Sequence, residues 1–110
     1  IITIATPGGN SVALNDQTQE IVVQDQSSNS ITLSPSGITI NSASDMTLQA
    51  TGQLKLSAMS INVAATTSLD VSGATISNTA DTTFSATGNT SATLSSSVST
   101  VIQGAVVMIN

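Results

Sequence analysis

Six carboxylates and one amine are the only side chains in this sequence able to carry charge or move protons: Asp16, Glu20, Asp25, Asp45, Asp70, Asp81 and Lys55. There is no His, Cys, Tyr or Trp, and Phe84 is the one aromatic. General acid–base catalysis would fall to isolated carboxylates, which lack the tuned neighbours such work needs. The spacing of Asp16, Glu20 and Asp25 matches no calcium loop, which places oxygen ligands at every second position before a glycine. They read as solvated turn residues. Asp45, Asp70 and Asp81 fall in or beside predicted corners, where charge keeps the chain soluble and discourages unwanted edge pairing. Lys55 lies between Leu54 and Leu56 and is expected to point away from them. Without His or Cys there is no zinc site and no thiol chemistry. Gly8-Gly9 precedes no Lys and no helix, so it is no phosphate loop. Asn89-Thr90-Ser91 fits a glycosylation sequon, a frequent chance match in a chain so rich in Ser and Thr. Met46, Met59 and Met108 read as adaptable filler. The reading is not an enzyme, with no cofactor and no metal.

The overall composition narrows the classes further. The chain has 110 residues, enough for one ordinary domain, but only 6% are charged, against roughly 25% in a typical domain. A net charge of −5 with one Lys argues against nucleic acid, whose phosphates require several cations, and against electrostatic binding to anionic lipid. Mean hydropathy is +0.30, too high for ordinary disorder. No apolar run approaches the roughly 18 residues of a membrane span. Ser and Thr together make 36 of the residues, yet no Thr-x-Thr triplet occurs, so an ice-binding array is not expected. The start at Ile1 is neither an initiator Met nor a signal peptide, and the chain reads as part of a longer protein.

Periodicity identifies the elements. From Ile38 to Leu56 the large apolar residues are Ile38, Ile40, Met46, Leu48, Leu54 and Leu56, all even-numbered. On an extended backbone they share one face, whereas on a helix they would scatter. The i, i+2 pairs recur every eight residues, then continue with one seven-residue step to Ile61 and Val63, eight to Leu69 and Val71, seven to Ile76, and eight to Phe84 and again to Ala92 with Leu94. Each repeat is a short strand and a corner. A seven-residue step shifts parity by one and marks a shortened corner or a bulge. Gly37, Gly52, Gly73 and Gly88 sit between pairs, where tight corners can require positive φ. The first third differs: Val12 with Leu14, Ile21 with Val23 and Ile31 with Leu33 are separated by polar turn sequences and predict an antiparallel meander over residues 1–34. Ser34-Pro35-Ser36-Gly37 punctuates the change to the repeats of residues 35–110.

A repeat of eight residues with two medium-sized apolar side chains cannot bury them alone and must stack. No ladder appears at the sixteen or twenty-four residues of a single-chain solenoid turn. The fold class expected is therefore all-β: a homotrimeric, intertwined triple-stranded β-helix with a short antiparallel section at its N-terminus. The expected trimer core is Ile38, Ile40, Met46, Leu48, Leu54, Leu56, Ile61, Val63, Leu69, Val71, Ile76, Phe84 and Leu94.

Thr6-Pro7-Gly8-Gly9-Asn10-Ser11, the run Gln19 to Leu33, the entry Ser36-Gly37-Ile38-Thr39-Ile40-Asn41-Ser42 and the ending Ile102 to Asn110 resemble, in that order, the spike segment of VgrG and phage central-spike proteins. The resemblance covers nearly the whole chain. It implies a homotrimeric triple-stranded β-helix, a needle of contractile injection machines such as phage tails and type VI secretion. It further implies a target membrane crossed mechanically, assembly in the bacterial cytoplasm, export with the apparatus, and baseplate or tube proteins as partners through an N-terminal part. Its C-terminal end would carry a PAAR-repeat tip protein on a platform of Val106, Val107, Met108, Ile109 and Asn110. Some phage spikes end instead in their own iron-binding histidine tip. With no His here, a separate tip protein is expected. No charge follows Asp81, which leaves the last 29 residues neutral and suits a penetrating end. The alternative class is a binding module, a trimeric adhesin or receptor-binding fibre stalk.

Overall fold

A computed structural model describes all 110 residues. It is all-β, with no helix and one five-stranded antiparallel sheet. The strands are β1 (Ile2–Ala5), β2 (Ser11–Asn15), β3 (Glu20–Gln24), β4 (Ser30–Ser34) and β5 (Gly37–Asn41). They lie in chain order β1-β2-β3-β4-β5, the arrangement that short hairpin loops impose. The meander predicted from the sequence is present. It continues through Pro35-Ser36, a two-residue connection, so that Ile38 and Ile40 belong to its fifth strand.

The loops explain why the sheet turns where it does. Gln19 and Ser28 adopt left-handed φ of 58° and 70°, and Gly9 and Gly37 have φ of 105° and 125°. Gly37 thus has the conformation its turn requires. Gly52, Gly73 and Gly88 have no positive φ, so the later corners do not use glycine for backbone freedom.

The chain divides into two compact parts, Ile1–Ile61 and Asn62–Asn110. In the first part the sheet is followed by backbone bends at residues 43–44, 51–52 and 59. In the second part bends fall at 66–67, 74, 81–82, 89–90, 97–98 and 105. The starts of these bends are separated by 8, 8, 7, 8, 7, 8, 8 and 8 residues. Each of the first eight bends begins five residues after the start of an apolar pair, so the backbone follows the side-chain cadence, including both short steps. The shortened repeats, 54–60 and 69–75, are turned by a single bent residue, Met59 and Ala74, whereas the eight-residue repeats between Ile38 and Ser99 use two. The seven-residue steps are therefore shortened corners.

No side chain is buried anywhere in the chain. Its accessible surface is 10693 Å², where a folded globular monomer of 11.0 kDa exposes about 5,600 Å². Backbone-to-backbone hydrogen bonds outside the strand ladders join only residues 6–10 and 25–29. From Ser42 onwards the chain forms no strand ladder with itself. In the single chain both the apolar side chains and the backbone polar groups of the repeats are therefore open to water.

Candidate functional site

The strand register assembles the apolar residues into two rows. One runs Ile2, Leu14, Ile21, Leu33 and Ile38 across all five strands, each residue opposite the next. The second, two residues along each strand, runs Ile4, Val12, Val23, Ile31 and Ile40. Residues two apart on a strand share a face, so ten aliphatic side chains form one apolar surface. Between the rows, on the other face, lie Thr3, Ala13, Val22, Thr32 and Thr39. A sheet with one apolar face needs a second layer, and this one has none within the chain. Ile2, Ile4, Ile38 and Ile40, on the two edge strands, are 59–69% exposed, and even the central Val23 is 39% exposed. Ile4, Val12, Val23, Ile31 and Ile40 line one concavity that continues to Met46 in the first repeat.

One end of this sheet is held by a chain of amide caps. The loops Thr6–Asn10 and Asp25–Asn29 are built alike. The first residue donates its N–H to the carbonyl of the fifth, at 2.9 Å for Thr6 to Asn10 and 3.1 Å for Asp25 to Asn29. The fifth donates its own N–H to the side-chain oxygen of the first, Thr6 Oγ1 at 3.2 Å and Asp25 Oδ1 at 2.9 Å. The left-handed residue is the fourth in both, Gly9 and Ser28. The terminal Asn then reaches the next turn: Asn10 Oδ1 accepts from Gln26 N–H at 3.0 Å, and Asn29 Oδ1 from Ala43 N–H at 2.8 Å. The relay thereby passes from the meander into the first corner of the repeats, where Ser42 Oγ also donates to the Asp45 carbonyl at 2.7 Å.

Asp25 is the best-engaged carboxylate. Besides Asn29 N–H, it accepts from Ser27 N–H and from Asn29 Nδ2, each at 2.9 Å. These bonds, led by that from the Asn29 side chain, hold its carboxyl below the ordinary value of 3.8. Its task is to close a solvated turn. The six acidic residues are scattered, and no three come together at a distance that could hold a metal ion. A helix long and apolar enough to cross a membrane is also absent.

The structure places the sequence-predicted core residues as follows. Ile38 and Ile40 extend the two rows of the sheet, and Met46 lies in the same concavity as Ile40. Leu48, Leu54, Leu56 and Ile61 lie among the bends of the first part, and Val63, Leu69, Val71, Ile76, Phe84 and Leu94 among those of the second, all exposed in the single chain. Val106, Val107, Met108, Ile109 and Asn110 follow the bend at Ala105 and are exposed as well.

Two features lie outside the apolar periodicity although the sequence carries their signal. One is the loop pattern of Thr or Asp followed, four residues on, by Asn-Ser, which occurs at 6–11 and 25–30. The other is the residue just before each bend, which is always small: Ser42, Ala50, Ala58, Ala65, Gly73, Ala80, Gly88, Ser96 and Gly104. Steric room explains it most directly at Gly88, where an added Cβ would run into the backbone carbonyl of Ser91.

A single-layer β meander, followed by short repeats with neither a core nor a paired backbone of their own, defines an all-β chain whose apolar surface is uncovered in the single chain. Residues 1–67 match the phage baseplate V C-terminal trimerisation domain. The chain belongs to that family, a structural domain of the phage baseplate and spike, and is thus like the C-terminal domain of the VgrG and phage central-spike proteins. The family's trimerisation supports a homotrimer of this chain. No curated protein matches the chain.

Proposed function

We propose that this chain is the membrane-piercing needle of a contractile injection machine, a phage tail, a type VI secretion spike or a related system. Three copies wind into a triple-stranded β-helix in which the apolar pairs meet on the axis and the hydroxyl-rich residues face outward. Its mechanism is mechanical. Sheath contraction supplies the work, and a backbone paired between chains transmits it without bending. The C-terminal end, Val106 to Asn110, serves as the platform for a PAAR-type tip protein.

The observation that carries this reading is the bend cadence. Bends recur every seven or eight residues in step with the apolar pairs, in a chain with no buried side chain and no backbone pairing of its own beyond Asn41. That is what one strand of a multi-chain prism requires. The small side chain before each bend suits corners where chains approach closely.

Solution mass tests the assembly. A species of three times 11.0 kDa, resistant to heat and detergent, is expected, and a single-chain mass would overturn the trimer. Binding of a PAAR-type protein tests the end. Association with the unmodified chain and its loss in Met108→Asp is expected. If the trimer forms but binds no such protein, the fibre-stalk class takes the place of the needle.

A further inference from the structure

In the eight repeats that open at Ile38 through Ala92 the first and third positions carry the apolar pairs, and one of these positions holds an amide. In the repeat that opens at Ile76, Asn78 stands where the preceding repeats have Val63 and Val71 and the following ones Ala86 and Leu94. The bends at Ala74 and at Asp81–Thr82 enclose this repeat and keep it in step with its neighbours. Ile76 and Asn78 are therefore equivalent to Leu69 and Val71, and point the same way on an extended backbone. The side-chain hydrogen bonds of the repeats are made by Ser42, by Asn29 reaching Ala43, and by Ser96. The Asn78 amide has no partner in its own chain.

We propose that the three Asn78 amides of the assembled trimer form a closed hydrogen-bonded ring that sets the axial register of the chains. The inference rests on the trimeric β-helix reading above. Each Nδ2–H donates to the Oδ1 of the next chain, so three donors meet three acceptors, and each amide keeps one N–H and one lone pair for water on the axis. Only three parallel chains in the same register bring the amides to one level. At the equivalent positions of the neighbouring repeats the side chains are apolar, and hydrophobic burial is not directional, so those levels discriminate poorly between registers. At this level a slip is costly. It sets the amide against Val71 or Ala86, leaving it buried without a partner. A single polar layer that specifies register in an otherwise apolar seam is well attested in coiled coils.

The chain has no Cys, so a spin label on Ser77→Cys, between Ile76 and Asn78 and facing outward, reports on this level alone. In the full chain, three labels in register give one narrow inter-label distance. Asn78→Val in the same background is expected to remain trimeric, to melt at a higher temperature and to show a broadened or multiple distance distribution. Asn62→Val, one position after Ile61 and so outward, is expected to leave the single distance unchanged. An Asn78→Val chain that keeps the single distance, or that no longer forms a trimer, overturns the inference. Valine there removes the polar layer without removing the hydrophobic drive. Loss of the single distance in Asn62→Val overturns it too. A wild-type chain of single-chain mass instead removes the trimer reading itself, so the two failures are distinct.

Discussion

Asn29 and Ala43, fourteen residues apart, are joined by a 2.8 Å hydrogen bond from the Ala43 N–H to Asn29 Oδ1. It links the meander to the first corner of the repeats, across the Pro35-Ser36 turn and β5. Asn29 also engages Asp25 through its backbone N–H, its carbonyl and its Nδ2, so one residue ties three segments together.

Asn29→Ala should free the Ala43 amide and unlatch that corner. Amide exchange at Ala43 is expected to accelerate markedly in the variant while β2 amides retain their protection. Because these hydrogen bonds are exposed, the effect is local and global stability should change little. Unchanged exchange at Ala43 would show that the cap contributes nothing in solution.

Asp25 makes the same end of the sheet sensitive to acid. Its folded-state carboxyl is held below 3.8, so its contribution is fully present above that value and is lost as pH falls through the lower, folded one. Thermal unfolding from pH 7 down to below pH 3 should show a component of destabilisation that Asp25→Asn lacks. Identical acid profiles for the two chains would remove Asp25 as its source.

Ser28 carries the left-handed conformation that Gly9 carries in the matching loop. A non-glycine residue there costs roughly 1–2 kcal/mol, and glycine in its place gives back about 0.5–1 kcal/mol in chain entropy. Ser28→Gly should therefore stabilise by about 0.5 kcal/mol per chain. A fall in melting temperature would contradict the loop's reading.

The two faces of the sheet should respond differently to charge. Val23 and Ile31 lie opposite each other in the second apolar row, and Ile31→Asp adds a carboxylate to that row in each copy. Sedimentation is expected to show loss of the trimer, since burial of each such side chain is worth roughly 1.5–3 kcal/mol and a buried unpaired charge costs more. Thr32→Asp, on the other face, should sediment as the wild type does. The reverse pattern would put the interface on the Thr face.

Gly88 should tolerate nothing larger. The Ser91 carbonyl occupies the space of a Cβ, so Gly88→Val must displace backbone at a corner repeated in three chains. A loss of the order of 1–3 kcal/mol per chain is expected for such overpacking, read as earlier melting. Gly52→Ala, where nothing lies within 4 Å, serves as the control and should change little.

Much of this was legible in the order of residues. The strands of the meander follow from alternation between polar turns, and the bends of the repeats follow from the spacing of aliphatic pairs, including Met59 and Ala74 at the shortened corners. Both are local effects: a period of two puts side chains on one face wherever the backbone is extended. The caps were harder to see, because Asn10 reaches Gln26 and Asn29 reaches Ala43, partners that adjoin only once the sheet has folded. The join at Ser34 to Gly37 was also misleading in one respect. Pro35 reads as punctuation, yet a two-residue turn there returns the chain into the same sheet.

Composition and period alone point to an all-β chain built of short repeats too small to bury their own apolar residues. Folding adds the register. Ile2, Leu14, Ile21, Leu33 and Ile38 form one continuous row only because each hairpin loop sets its strands level, and a slip of one residue would turn half of them to the Thr face. That row, left open by a sheet with no second layer, turns a list of exposed aliphatics into one continuous apolar surface.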